Sequence, residues 1–232
     1  MIRRRLLTKG PADPPGFDRA ACPSSPTDLY ISYDGSRFHC QAVSSANGSW
    51  ELLFGRRADG DRSRWFRFRQ DELVDTRHVS RPVDGAIADD GTAIVVSAGD
   101  PATLGGELTV LGDDGIVLSR QFDRSLGRPV VRPDGDVCAI STRPPEPTVY
   151  GCCLRTETWI LERTFRERTI RLLGFHADGD ESYCYVGVRS AGDPYLALDE
   201  EGEVAWESDR HWATRSLADR VGSFVDSIRL GA

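Results

Sequence analysis

One feature constrains the fold of this chain more than any other: short sequence signatures recur at a nearly fixed spacing. Asp-Gly pairs stand at 90–91, 134–135 and 178–179, each 44 residues after the one before. Two longer signatures are also repeated: Arg-Pro-Val at 81–83 and 128–130, and Ser-Ala-Gly-Asp-Pro at 97–101 and 190–194. A period in the 40s indicates repeated units of about four strands each.

Each repeated unit contains four short runs that favour β-strands, separated by turns rich in Asp, Gly and Pro. The runs predicted for the last three units are 83–88, 93–98, 107–111 and 116–122; 129–132, 137–142, 149–154 and 159–165; and 170–175, 183–188, 195–198 and 204–207. A first unit is predicted from 28–33, 37–43, 50–54 and 64–69, with its opening turn at Asp34-Gly35. That turn precedes Asp90-Gly91 by 56 residues, so we expect the first unit to carry an insertion or to belong to a looser class.

These units predict an all-β fold: a small β-propeller-like array of about four four-stranded blades. A single blade buries little apolar surface and needs a neighbour on each face, which is the physical reason for repetition. A ring of four blades is at the small end of its class. Three arrangements stay open at this point: a closed ring, a ring completed by the N-terminal arm, and half of a dimeric ring. Open sheet edges would favour a homo-oligomer.

The segment 197–206, Ala-Leu-Asp-Glu-Glu-Gly-Glu-Val-Ala-Trp, resembles the blade motif of quinoprotein-like (PQQ-like) propellers, with Glu201 where threonine is usual. WD-repeat (WD40-like) propellers are similar at this level. The resemblance implies a turn between the last two strands of a blade, followed by an aromatic side chain that packs between blades. Quinone-dependent enzymes of this kind are larger rings with a central calcium and cofactor site. Four units are too few for such a ring, so we expect no cofactor.

Three regions follow from the pattern: a Pro-rich N-terminal arm at 1–26, the repeat domain at 27–209 and an amphipathic C-terminal helix at 210–232. The helix is predicted because one helical face collects apolar residues, namely Leu217, Val221, Phe224, Val225 and Ile228. No apolar run is long enough to cross a bilayer and no signal peptide is recognised, so a cytoplasmic location and no membrane partner are expected. The formal net charge of −7 disfavours general binding of nucleic acid.

Neither the cysteines nor the acidic turns predict a metal site. Cys40, Cys138 and Cys184 fall in second strands of their units, where a small apolar residue suits the core. The Asp-Gly-Asp tripeptides that begin at Asp59, Asp134 and Asp178 are explained by turn chemistry rather than by calcium binding. No catalytic motif is recognised, so no catalytic residue and no metal ligand is proposed.

The best candidate for a binding surface is the Arg-rich stretch 56–69. Strand alternation places Phe66 and Phe68 on one face, and Trp65, Arg67 and Arg69 on the other. If exposed, this stripe, together with Arg64, would suit an acidic protein partner or a phosphate backbone. By analogy with other propeller-like folds, which present loops and an axial face to other proteins, we favour a non-catalytic protein-binding or scaffold module. The alternatives are a hydrolase or lyase with an axial pocket, and a nucleic-acid-associated factor that uses the stretch.

Overall fold

A computed structural model of the chain describes residues 27–99, 104–165, 170–178, 181–188, 194–199 and 201–207. These residues form seventeen β-strands in four antiparallel sheets, and the described ranges contain no α-helix. The predicted N-terminal arm and C-terminal helix lie outside the described residues. Within the described part of the chain, no helix is long and apolar enough to cross a membrane.

Each sheet is a meander in which strands pair in chain order. The first sheet contains β1 (Thr27–Tyr33), β2 (Ser36–Ser44), β3 (Trp50–Arg57), β4 (Ser63–Arg69) and β5 (Glu72–Val79). The second contains β6 (Pro82–Ile87), β7 (Ala93–Ala98), β8 (Gly106–Gly112) and β9 (Gly115–Phe122). The third contains β10 (Val130–Val131), β11 (Val137–Ser141), β12 (Thr148–Cys153) and β13 (Thr158–Thr164). The fourth contains β14 (Ile170–Asp178), β15 (Glu181–Val188), β16 (Pro194–Leu198) and β17 (Val204–Glu207).

Successive sheets pack face to face, and three apolar cores each lie between two of them. We call the face of a sheet that contacts the next sheet its front, and the opposite face its back. The core between the first and second sheets includes Trp50, Phe54 and Val95. The next two cores join the second sheet to the third and the third to the fourth. Because side chains alternate along a strand, every inner sheet contributes one apolar face to each of two cores.

The first strands of the last three sheets lie together at the inner edge of the stack, where β10 contacts both β6 and β14. Four-stranded meanders that stack face to face around their first strands are blades of a propeller. The fold is therefore propeller-like, as the repeat spacing predicts.

The first sheet differs from the prediction in both strand number and register. The turn equivalent to Asp90-Gly91 is Asn47-Gly48, 43 residues earlier, and not Asp34-Gly35. Hydrogen bonds between successive turns show the equivalence. The backbone N of Asn47 donates to the side-chain carboxylate of Asp89, and the backbone N of Asp89 donates to the carbonyl of Pro133 in the following turn. We call this end of the stack the lower rim and the opposite end the upper rim. Strand β1 is thus an additional inner strand, and β2 to β5 correspond to the four strands of a regular unit.

The repeated glycines are required by contacts between sheets as well as by turn geometry. Gly91 has a φ of 96°, and a Cβ there would lie 2.6 Å from the ring of Trp50 in the preceding sheet. Gly135 has a φ of 78°, and its Cβ would meet the carboxylate of Asp90, again in the preceding sheet. At Gly91 and Gly135, the sequence period therefore marks the place where a lower-rim turn contacts the preceding sheet.

Candidate functional site

Four charged residues that act on one another electrostatically lie on neighbouring sheets near the inner edge of the stack, toward the upper rim. Asp84 belongs to β6, Arg128 precedes β10, Arg143 follows β11 and Arg171 belongs to β14, so three different sheets contribute. We call these four residues the axial charge cluster. Alternation along β6 turns Asp84 away from the first sheet, because the neighbouring Gly85 faces the side chains of the first sheet.

The charges of the cluster act on one another. Burial raises the pKa of Asp84, whereas a 2.9 Å hydrogen bond from the backbone N of Gly85 and the positive charges of Arg128, Arg143 and Arg171 lower it. Because burial is the largest influence, the carboxyl holds its proton more tightly than an exposed aspartate does.

Among these four residues, three guanidinium groups act on one carboxyl, so their formal charges sum to an excess of positive charge when Asp84 is ionised. Arg128 and Arg171 are half-buried, which weakens solvent screening of their charge. Arg143 is more exposed, and its Nε donates to the carbonyl of Leu126 at 3.0 Å, which fixes one edge of the group. The other N–H groups of Arg143 suit a carboxylate or another small oxyanion.

The residues of the predicted arginine stripe do not share one exposed surface in the structure. The alternation is confirmed, since Trp65 lies in the core in front of the first sheet and Phe66 in the apolar cluster behind it. The exposure that a binding stripe requires is absent at two of its residues, because Trp65 and Arg67 are only 2% and 1% exposed. The reason is that the front of β4 packs against the second sheet, a contact that alternation within one strand does not reveal.

Arg67 is a buried link between the first two sheets. Its Nη1 donates to the carbonyl of Gly91 at 3.0 Å and lies 4.0 Å from a carboxylate oxygen of Asp113, and its guanidinium lies 5.5 Å from the ring of Trp50. A similar link recurs later in the stack, where Arg163 Nη1 donates to the carbonyl of Gly202 at 2.7 Å.

Arg64 and Arg69 lie on opposite faces of β4. Arg64 donates to Thr76 Oγ1 at 3.3 Å and lies 3.2 Å from His78 Nε2, on the back of the sheet. Arg69 is exposed on the front, with its guanidinium 5.4 Å from the ring of Trp50. The four predicted residues therefore form no single surface, and binding through Arg64 or Arg69 stays a prediction.

An aromatic cage joins the second sheet to the third. The guanidinium of Arg120 lies 4.2 Å from the ring of Trp159, 4.9 Å from Phe122 and 5.1 Å from Tyr150. The three rings contact one another edge to face. Because the chain's own arginine fills the cage, its evident role is to stabilise the contact between these sheets.

The described cysteines are free thiols placed mainly in the cores. Burial raises the pKa of Cys40 and of Cys184 to about 12. Cys138 and Cys152 are directly opposite on β11 and β12, and the hydrogen bond between their thiols raises the pKa of Cys138 and lowers that of Cys152. Among the residues that the structure describes, no group of three or more His, Cys, Asp or Glu side chains is placed to hold a metal ion.

A small apolar cavity lies between the third and fourth sheets. It has a volume of about 20 Å³ and is lined by residues that include Ala139, Leu161, Phe175 and Cys184. That volume holds about one water molecule. This cavity is therefore a packing gap rather than a binding pocket.

Sequence reasoning missed the axial charge cluster because its members are far apart in the chain. One signal was available: Asp84 and Arg171 interrupt runs that are otherwise apolar, Pro-Val-Asp-Gly-Ala-Ile and Ile-Arg-Leu-Leu-Gly-Phe. A charged residue in the innermost strand of a blade faces its counterparts in the other blades. The two charged residues could therefore be connected only after the structure showed that β6 and β14 are the innermost strands of their sheets.

No protein-family model and no curated protein matches the chain. Solved structures with a similar fold include the β-propeller domain of the Trilobed protease from Pyrococcus furiosus, with a TM-score of 0.47 and 15% identity over 69% of this chain and 55% of that one. Another is a putative 6-phosphogluconolactonase from Bacteroides uniformis, with a TM-score of 0.43 and 13% identity over 75% of this chain and 54% of that one. The chain thus spans little more than half the length of each.

Proposed function

We propose that this protein is a non-catalytic binding module that holds an acidic segment of a partner protein at the axial charge cluster. The observation that carries the proposal is that Arg128, Arg143 and Arg171, from two neighbouring sheets, all act electrostatically on the buried carboxyl of Asp84. Arginine forms bidentate hydrogen bonds with carboxylates, and partial burial strengthens them.

The overall charge favours a short acidic segment over a long polyanion. The chain has a formal net charge of −7, which repels an extended phosphate backbone at long range. Locally, Asp84 sits among the arginines and disfavours a ligand with dense negative charge. One or two carboxylates presented by a peptide match an excess of positive charge of this size.

The test is fluorescence anisotropy with a labelled hexaglutamate peptide that keeps its free C-terminal carboxylate. We expect the double variant R128Q/R171Q to weaken binding at least tenfold, because each lost charge-assisted hydrogen bond contributes about 1.5–3 kcal/mol. The matched control is R155Q, which removes an exposed arginine that pairs with Asp136 on the lower rim. It should change the Kd by less than about twofold, in line with the small contribution of exposed ion pairs.

The protonation of Asp84 predicts that peptide affinity depends on pH. Its pKa is raised, so lowering the pH from 7 toward 5.5 increases its protonated fraction while the peptide carboxylates stay mostly ionised. Peptide binding by the wild-type protein should tighten over this range. The D84N variant should bind more tightly at pH 7 and lose most of this pH dependence.

The same variant also has a stability signature. A carboxyl with a raised folded-state pKa binds protons more tightly in the folded state, so it lowers stability as the pH rises through that pKa. D84N should therefore be at least as stable as the wild type at pH 7.

Absence of peptide binding, or equal binding by R128Q/R171Q, would refute the proposal. Tighter binding to duplex DNA with a steep salt dependence would favour the nucleic-acid alternative.

A further inference from the structure

The back of the first sheet is apolar and buried, although it lies at the open end of the stack. Its central side chains are at most 8% exposed, and they are Phe38, Cys40, Ala42, Leu53 and Phe66. Phe66 is 0% exposed and Cys40 is 1% exposed. The surrounding half-buried residues are Leu29, Ile31, Tyr33 and Phe68.

No described strand accounts for this burial. Every member of the cluster belongs to the first sheet, whereas each of the other three cores combines residues from two sheets. Phe66 meets Phe38 and Tyr33 edge to face, and such neighbours shield the sides of a ring on an open sheet face but not its top. Among the described residues, this face therefore has no neighbouring sheet, although its central side chains are buried.

The sequence outside the described residues offers one segment that suits this face. Residues 210–232 carry an apolar helical stripe, at Leu217, Val221, Phe224, Val225 and Ile228. A helix over 217–228 is about 17 Å long, close to the roughly 14 Å that separates the first and fourth strands of a sheet. The N-terminal arm contains five prolines, which disfavour regular structure, and it has no comparable stripe.

A connection of known length joins β17 to the apolar stripe. Strand β17 ends at Glu207, ten residues before Leu217, and ten extended residues span about 33 Å. We propose that residues 210–232 form an amphipathic helix that docks on the back of the first sheet and closes this end of the stack. The helix takes the place of the neighbouring sheet that the two inner sheets have on each face, so the face is unavailable to a second copy.

The rate at which the Cys40 thiol is alkylated measures this contact, because Cys40 lies at the centre of the covered face. Burial raises its pKa to about 12, so it should react slowly with iodoacetamide in the full-length chain. Deleting 210–232 should speed alkylation of Cys40 at least tenfold, measured by mass spectrometry of its peptide. Cys138 lies between the second and third sheets and should stay slow, which shows that the core remains folded.

Point variants test the same contact in the intact chain. F224D places a charge on the apolar stripe and should accelerate alkylation of Cys40, whereas S223D changes the opposite side of the helix and should not. If the deletion also accelerates alkylation of Cys138, the protein has lost more than the helix contact. The comparison of F224D with S223D then tests the contact in the intact chain. Adding a synthetic 210–232 peptide to the truncated protein should restore protection of Cys40.

Three results would overturn the proposal. One is protection of Cys40 that persists after 210–232 is deleted. Another is loss of protection on deletion of 1–26 alone, which would make the arm the cover. The last is protection that disappears on dilution of the full-length chain together with dissociation of a dimer in sedimentation velocity, which would make a second copy the cover.

Discussion

At the scale of single residues, arginine has two different roles in this chain. Arg67 is buried and links two sheets, whereas Arg69, two positions along the same face of β4, is exposed. Both are close to Trp50, but only Arg67 donates to the carbonyl of Gly91. The difference arises from distance along the strand, because the second sheet covers the middle of β4 and not its end.

We expect R67L to lower the free energy of unfolding by about 2–3 kcal/mol, since it removes a charge-assisted hydrogen bond and leaves a buried carbonyl without its donor. R69L is the matched control and should cost less than about 1 kcal/mol, the size of an exposed cation–π contact. Urea denaturation measures both. Equal losses for the two variants would contradict the assignment of Arg67 as a buried link.

At the scale of elements, the lower-rim turns connect the sheets. The turns of the first three sheets contact one another in series through Asn47, Asp89 and Pro133, and Gly91 and Gly135 leave room for side chains of the preceding sheet. Asp34-Gly35 has the same turn chemistry but lies on the upper rim, and no atom lies within 4 Å of a Cβ built at Gly35. Turn chemistry and inter-sheet contact are therefore separable.

A pair of glycine variants separates the effect of turn chemistry on stability from the effect of contact between sheets. G35A should cost about 1–2 kcal/mol, because alanine must adopt a positive φ in open space. G91A carries the same strain and must also displace the ring of Trp50, which adds about 1–3 kcal/mol. Thermal unfolding of both variants gives the comparison. If G91A were no more destabilising than G35A, the turn contact with Trp50 would contribute nothing.

At the scale of the whole molecule, stability is distributed along the stack and across each sheet. The second strands β7 and β11 are buried along almost their whole length, because both of their faces contact neighbouring sheets. Strand β5 is largely exposed at the outer edge of the first sheet. The inner strands carry the cores, and the outer strands shield them.

Hydrogen exchange followed by mass spectrometry should reflect this arrangement. Backbone amides of β7 and β11 should exchange slowest, with opening free energies close to that of global unfolding, whereas amides of β5 should exchange fastest among the described strands. Uniform protection across the first sheet would contradict this order. Protection of β2 and β4 should also fall when 210–232 is deleted, since those strands carry much of the covered back face.

The sequence by itself determined the elements of this protein. Alternating apolar residues and Asp-Gly turns predict the strands of the last three sheets to within about three residues at each end, because strand formation and tight turns depend on local chemistry. The period of 44 predicts stacked, equivalent units, since each unit needs the next to bury its faces.

Only the tertiary structure decided which equivalent positions meet and which charges are buried. Asn47-Gly48 replaced Asp34-Gly35 as the first lower-rim turn, because the added strand β1 shifts the register of the first sheet. Arg67 became a core residue and Asp84 part of a charged cluster, since burial and convergence depend on contacts between residues distant in sequence. A strand pattern gives the direction of a side chain relative to its own sheet, but not what the neighbouring sheet places opposite it.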